Sequence, residues 1–414
     1  MSVVRIAGSV PASRLDILHQ RPLAWFHLGQ GRRCGVFHRK GTRVSPLPRA
    51  AATAVRPTRL EIVMSPQNES RPLTWALVIA TYNREDMLER CVKLAAEQTR
   101  PPQEIVVVDS SPDWNETRDW ILRELAPNYP NIAWQYAEAI QRSTPSQRNQ
   151  AIRMASADVV FLIDDDSLMY PDCAEKIMEV YEADFGGAIS GVNAIHVNTP
   201  PDRPEEVPDA EYGTSRNYGA VAAFVRQLLR ANDHFVPYDA EWPRLPIPEA
   251  VAKLNVDRWG LAAGWGMTFR REICLKEPFE EILLSYAAGE DSDMSYRASR
   301  HGAYVGRNEA RLCHVGSRGG RLDILTVSTL KGLNILVMHR LNTTDVERGR
   351  RSHHRLMARR ALIALAKDLK AGRLQIPEAR GWFRAVRMVN DIFDREPEQI
   401  RAWYPEFQKQ VLGR

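Results

Sequence analysis

Val159-Val160-Phe161-Leu162-Ile163-Asp164-Asp165-Asp166 is a run of five apolar residues that stops at three consecutive carboxylates. An apolar stretch of this length, without polar alternation, reads as a strand buried on both faces, as in the middle of a parallel sheet. Acids at the end of such a strand are aimed from a rigid base. If the segment stays extended, Asp164 and Asp166 point the same way and share one site. Carboxylates so close repel one another unless a cation lies between them, and hard oxygen ligands suit Mg2+ or Mn2+ rather than zinc. Read alone, three aspartates could equally cap the next helix or solvate a turn. The surrounding chain decides between these readings.

Upstream, Trp75–Ala80 is another apolar run, followed by the loop Thr81-Tyr82-Asn83-Arg84. A helix is expected from Glu85, with Met87, Leu88, Cys91, Leu94 and Ala95 on one face, and Pro101-Pro102 ends it. Glu104–Asp109 is the second strand. A helix near 115–125, a strand over 132–136 and a helix over 146–155 lead back to Val159. Strand and helix alternate at βαβ spacing, which predicts an α/β fold with a mostly parallel sheet covered by helices on both faces. In such sheets ligands sit beyond the carboxyl ends of strands. Thr81, Asp109 and Asp164–Asp166 all fall there. Downstream, a helix over 173–184 and an apolar segment over 188–197 precede a Pro- and acid-rich loop, 198–209. A second half extends from Tyr218 to about Arg321, and a helical tail, rich in Lys/Arg, carries Leu362, Ile363, Ala366 and Leu369 at helical spacing.

The chain has 414 residues and a formal net charge of +5, but residues 1–64 alone hold eleven Lys/Arg against Asp16 and Glu61. The basic balance therefore belongs to the N-terminal segment, and a nucleic-acid partner does not follow from it. Three segments are expected: residues 1–68, a basic extension that reads as disordered or wrongly annotated; 69–322, the α/β domain; and 323–414, a helical region. Five scattered cysteines, none in a C-x-x-C pair, fit reduced thiols in a cytoplasmic protein. No apolar stretch approaches the roughly 20 residues of a membrane-spanning helix, so any membrane contact is expected at the surface of the inner face, through the basic tail.

Five pieces in order, Val78–Arg84, Ile105–Asp109, Ser146-Gln147-Arg148-Asn149, Phe161–Asp166 and Gly289-Glu290-Asp291-Ser292-Asp293, resemble family 2 glycosyltransferases. The resemblance covers about Trp75 to Gly320. It implies a GT-A fold, a nucleoside-diphosphate sugar donor, an acceptor hydroxyl on a saccharide or lipid-linked molecule, and inverting transfer with Mn2+ or Mg2+, in cell-surface glycan or glycolipid assembly. Carried over by position, Thr81, Asp109, Arg148, Asp164 and Asp165 would hold the donor. Asp166 would bind the metal, with His314 as a further ligand. Asp291 would be the general base that deprotonates the acceptor, with Glu290 as runner-up, although acids at a helix start also serve its dipole. Gly264 and Trp265 would border the acceptor, and Ser317–Gly320 would form a cationic lid. A sugar-phosphate nucleotidyltransferase is the rival enzyme reading, but the loop after the first strand lacks glycine. A catalytically silent scaffold that binds nucleotide sugar or a protein partner is the rival of another class.

Overall fold

The computed structural model describes residues 71–206, 244–284, 287–316 and 322–413. The chain divides into two units, Met1–Pro66 and Gln67–Arg414, and the described residues all belong to the second. The expected extension, 1–68, lies outside them, as do residues 207–243 and the Ser317–Gly320 segment.

The first half follows the expected alternation. Strand β1 (Trp75–Thr81) leads to helix α1 (Glu85–Ala96), then β2 (Glu104–Asp109), α2 (Trp114–Trp120), β3 (Ala133–Glu138), α3 (Thr144–Met154) and β4 (Val159–Leu162). These strands pair in parallel in the order β3-β2-β1-β4. Alternate residues of β1 serve opposite layers: Trp75, Leu77 and Ile79 join a core with Leu88 and Cys91 of α1, whereas Ala76 and Val78 join one with Ala151 and Ile152 of α3. Each fully buried large side chain contributes roughly 1.5–3 kcal/mol. Slipping β1 by one residue would exchange the two layers, so its register is fixed. That register sets Thr81 opposite Asp109.

Beyond β4 the sheet becomes mixed. Strand β5 (Ser167–Met169) and helix α4 (Cys173–Ala183) lead to β6 (Ile189–His196); after α5 (Glu249–Ala252) come β7 (Val256–Arg258), β8 (Met267–Arg270), α6 (Arg271–Lys276), α7 (Glu290–Ala298) and β9 (Ala303–His314). β8 enters antiparallel between β4 and β6, and β9 pairs parallel with β6 and antiparallel with β5 and β7. The parallel expectation thus describes the first four strands. Their βα repeat gives way where β8 runs back along β4.

Four helices complete the chain: α8 (Ile324–Asn342), α9 (Val346–Lys370), α10 (Pro377–Phe393) and α11 (Pro397–Val411). Asp323 caps the first by accepting from the Thr326 N–H at 3.0 Å, which satisfies one of its orphan donors. Leu333, Leu336, Leu356, Trp382, Val389 and Tyr404 build a third core that also takes in Ile282 and Leu283. Polar ties join this region to the sheet half: Asn342 Nδ2 donates to Asp293 Oδ1 at 2.8 Å, and Gln408 Nε2 to the Ile282 carbonyl at 2.6 Å.

Candidate active site

The three aspartates are not extended. They form the turn between β4 and β5, closed by the Ser167 N–H on the Asp164 carbonyl at 3.0 Å. This differs from the strand-alternation reading, but Asp164 and Asp166 still converge. Their third partner is brought by β9: Ser167 pairs with His314, and the Val315 N–H donates to the Asp166 carbonyl at 3.0 Å. Asp164, Asp166 and His314 each offer one ligand atom, all within 4.8 Å of one another. Two carboxylate oxygens and an imidazole nitrogen fit a divalent ion such as Mn2+, which accepts nitrogen more readily than Mg2+ does. His314 Nδ1 lies 3.2 Å from Asp166 Oδ1 and 3.3 Å from Ser167 Oγ. Burial works against a charged imidazole there, but the hydrogen bond and charge of Asp166 overcome it and raise the His314 pKa. The spot favours positive charge.

The middle aspartate looks the other way. Asp165 accepts from the Thr81 hydroxyl at 2.7 Å and pairs with Arg84 Nη1 at 2.7 Å. Burial, partly offset by Arg84, pushes its carboxyl up to about 7. Arg84 also reaches Asp166 Oδ2 at 3.3 Å. It stands one residue after Asn83, whose φ of 51° turns the chain at the end of β1, a left-handed conformation that asparagine tolerates. Sequence reasoning quoted Arg84 within its loop without a role. Its only signal was a basic residue three positions past a strand end.

The second carboxylate cluster opens α7. Gly289, with φ 98°, starts that helix, a conformation that suits glycine. Glu290, Asp291 and Asp293 fill the first turn, where the helix dipole favours negative charge. Arg148, from α3 and 2% exposed, joins the two clusters. Its Nη1 donates to Glu290 Oε1, its Nη2 to Asp164 Oδ1 at 2.9 Å and to the Gly264 carbonyl at 3.1 Å. The Gly264 N–H in turn donates to Asp291 Oδ2 at 3.3 Å. Burial, opposed by Arg148, pushes Glu290 up to about 7, and its second oxygen has no hydrogen-bond partner among the described residues. Burial likewise raises Asp291, against the Ser292 N–H that donates to it. Glu290 is clamped and 9% exposed, whereas Asp291 is half-buried and held on one side by main-chain N–H groups.

Other expected residues sit nearby. Asp109, beside Thr81 across the β1–β2 register, accepts from the Ser111 N–H at 2.7 Å and the Tyr136 hydroxyl at 2.5 Å. Gln147 Nε2 ties the Thr81 and Val108 carbonyls, both at 2.9 Å, and so fixes the two strand ends together. Trp265 packs against the first core and meets His196 edge-on, ring centroids 5.5 Å apart. Arg142 lies over the Tyr82 ring, 3.5 Å from its centroid, an aromatic–cation pair at the mouth of β1 that the sequence did not single out.

The arrangement can do three things chemically. It can hold a divalent ion, offer guanidinium groups to an anion, and present a carboxylate with a raised pKa a short distance away.

Comparison with known proteins places these features. The sequence model described as Glycosyl transferase family 2 matches residues 76–236. The validoxylamine A glucosyltransferase of Streptomyces hygroscopicus subsp. limoneus is 26% identical over 127 residues, 31% of this chain and 28% of that protein. The chain thus matches less than a third of that relative's length. A mannosyltransferase from Pyrobaculum calidifontis, solved with GDP-Man and Mn2+, is 15% identical with a TM-score of 0.44, covering 79% of this chain and 89% of its own. S. aureus TarS residues 1–349 gives 13% identity and a TM-score of 0.42, covering 82% and 88%. The fold itself is a mixed sheet covered by helices with a helical C-terminal region. The segment that carries β1, the acidic turn and Arg148 is thus similar to glycosyltransferase family 2.

Proposed function

We propose that the protein transfers a glycosyl group from a nucleoside-diphosphate sugar to an acceptor hydroxyl, with inversion and with the help of a divalent cation. The observation that carries this reading is the single guanidinium of Arg148, which bonds Asp164 of the acidic turn and Glu290 of the second cluster. The carboxylates this reading places on the donor side and on the acceptor side are therefore held together by one side chain.

In this reading Asp166, Asp164 and His314 hold Mn2+ or Mg2+, which supplies charge neutralisation for the leaving diphosphate. Arg148 and Arg84 orient anionic oxygens of the donor and keep the acids from repelling one another. Thr81, Asp109 and Asp165 belong to the strand-end wall against which the nucleoside rests. Asp291 takes the proton from the acceptor hydroxyl as it attacks in line; its raised pKa brings it nearer the operating pH, where a general base works best. Glu290, ion-paired and largely enclosed, holds Arg148 instead. Gly264 and Trp265 border the acceptor, a saccharide or lipid-linked hydroxyl. The protein would act in the cytoplasm, with its basic helical region against the inner face of the membrane, in assembly of a cell-surface glycan or glycolipid.

The test is a thermal-shift panel of UDP, GDP, dTDP and CMP sugars, with and without Mn2+. Ligand stabilisation grows with concentration over Kd. One nucleotide class should raise Tm only when Mn2+ is present, and Asp166→Asn should remove that rise. Stabilisation by no member of the panel, or an equal rise in EDTA, sinks the reading.

A further inference from the structure

The helix pair α9–α10 carries a charge imbalance that its ion pairs use only in part. From Val346 to Phe393, twelve Lys/Arg face four Asp/Glu. The two helices pack antiparallel, as the contacts His354–Asn390 at 2.8 Å and Lys367–Glu378 at 3.2 Å require. At 100° per residue, the buried stripe of α9 runs through His353, Met357, Ala361, Ala364 and Asp368. Arg351, Arg355, Leu362 and Leu369 then fall on the opposite side, and all four are exposed. On α10 the buried stripe through Trp382, Ala385, Val389 and Ile392 leaves Phe383 and Arg387 outward. Asn390 shares the phase of Phe383 and Arg387, and His354 leans toward the Arg351–Leu362 side. Their hydrogen bond therefore joins the two outward faces into one surface.

That surface is both cationic and apolar. Leu362 and Leu369 are each 58% exposed and Phe383 is 38% exposed. Among the described residues no carboxylate pairs with Arg351, Arg355 or Arg387. The exposed acids at its end, Glu347 and Asp394, are both taken up by Arg350, at 3.3 and 2.6 Å. Exposed leucines set between unpaired arginines on one helical face are what an interfacial helix presents to lipid.

We infer that the outward face of α9 and α10 docks on an anionic lipid surface, with Arg351, Arg355 and Arg387 at the phosphates and Leu362, Leu369 and Phe383 in the headgroup–acyl boundary. A second copy of the chain is a poorer occupant, because a two-fold contact would set arginine against arginine. A nucleic-acid backbone would satisfy the arginines and leave the aliphatic side chains in water. The inference deepens the membrane part of the reading above. Its test involves no nucleotide sugar, so it fails or stands apart from the donor chemistry.

The experiment is co-sedimentation of the full-length protein with phosphatidylcholine vesicles, alone or with about one-third phosphatidylglycerol. Each arginine near an anionic surface strengthens partition about fivefold, so Arg351→Gln with Arg355→Gln should weaken binding to the anionic vesicles about 25-fold. Leu362→Ser with Phe383→Ser should weaken it at constant charge, and raised salt should weaken wild type more than the arginine variant. Residues 1–64 hold eleven Lys/Arg of their own, so the variants decide, not wild-type binding alone. Unchanged affinity in both double variants overturns the inference, as does equal binding to neutral vesicles. A dimer seen by light scattering that Leu362→Ser dissolves would also overturn it, by assigning the face to self-association.

Discussion

Replacing Arg148 by methionine tests the joint between the two acidic clusters. The side chain is 2% exposed, and methionine fills much of its volume while removing the charge and every hydrogen bond it makes. Deleting one partner of a buried ion pair costs about 3–5 kcal/mol when the other must stay ionised. Glu290 has an escape, because burial already pushes its carboxyl up to about 7 from an ordinary 4.5. Folding thus favours its protonated form, and wild-type stability from this group falls as pH rises from 4.5 to 7, then levels off. Without Arg148 the folded pKa moves higher still. Above pH 7 the variant holds a proton that wild type has released, and the gap between them widens by about 1.4 kcal/mol per pH unit. Urea denaturation at pH 6 and pH 8 reads this directly. The expected loss is about 3 kcal/mol at pH 8 and about half that at pH 6. A loss below about 1 kcal/mol at both pH values, or a larger loss at pH 6, would refute the reasoning.

Asp291→Asn should leave Mn2+-dependent donor stabilisation intact and lower turnover by about 10²–10⁴, the usual contribution of a general base; full turnover would remove Asp291 from that role. Gly191→Ala should cost about 1–3 kcal/mol, because the added Cβ would meet the Thr268 carbonyl and the Tyr304 ring, each at 2.5 Å. Gly186→Ala, with nothing within 4 Å of its new Cβ, should be close to neutral by the same thermal melt. His353, whose Nδ1 lies 2.8 Å from the Gly349 carbonyl, is buried and held down to about 4 by that burial. It must stay neutral in the folded state, so its contribution is complete above pH 6.5 and lost as pH falls toward 4, by about 3 kcal/mol. His353→Phe should flatten that part of the pH–stability curve, and an unchanged slope would contradict the account.

The first four strands were legible because each is an apolar run bounded by a turn signal, and burial on both faces leaves such runs little else to be. β5 was not. Ser167-Leu168-Met169 is too short to announce itself, and it exists because β9 lies beside it. The mixed half of the sheet was hidden for the same reason: β7 has three residues and β8 four, and their partners come from far along the chain. The resemblance assembled Asp164, Asp166, Glu290 and Asp291 into one region, but no local pattern could say that Arg148 bonds both pairs. Long-range charge pairing leaves no periodicity in the chain. Arg84 was missed on those grounds too.

The two peptides that flank Gly264 are both spoken for, its N–H by Asp291 and its carbonyl by Arg148. Both anchors are main-chain atoms, so what pins this loop is indifferent to the side chains it carries. Replacements at Leu261 or Ala263 can therefore vary this edge while both bonds persist. Side chains here are free to drift while the joint between the two carboxylate clusters keeps its alignment.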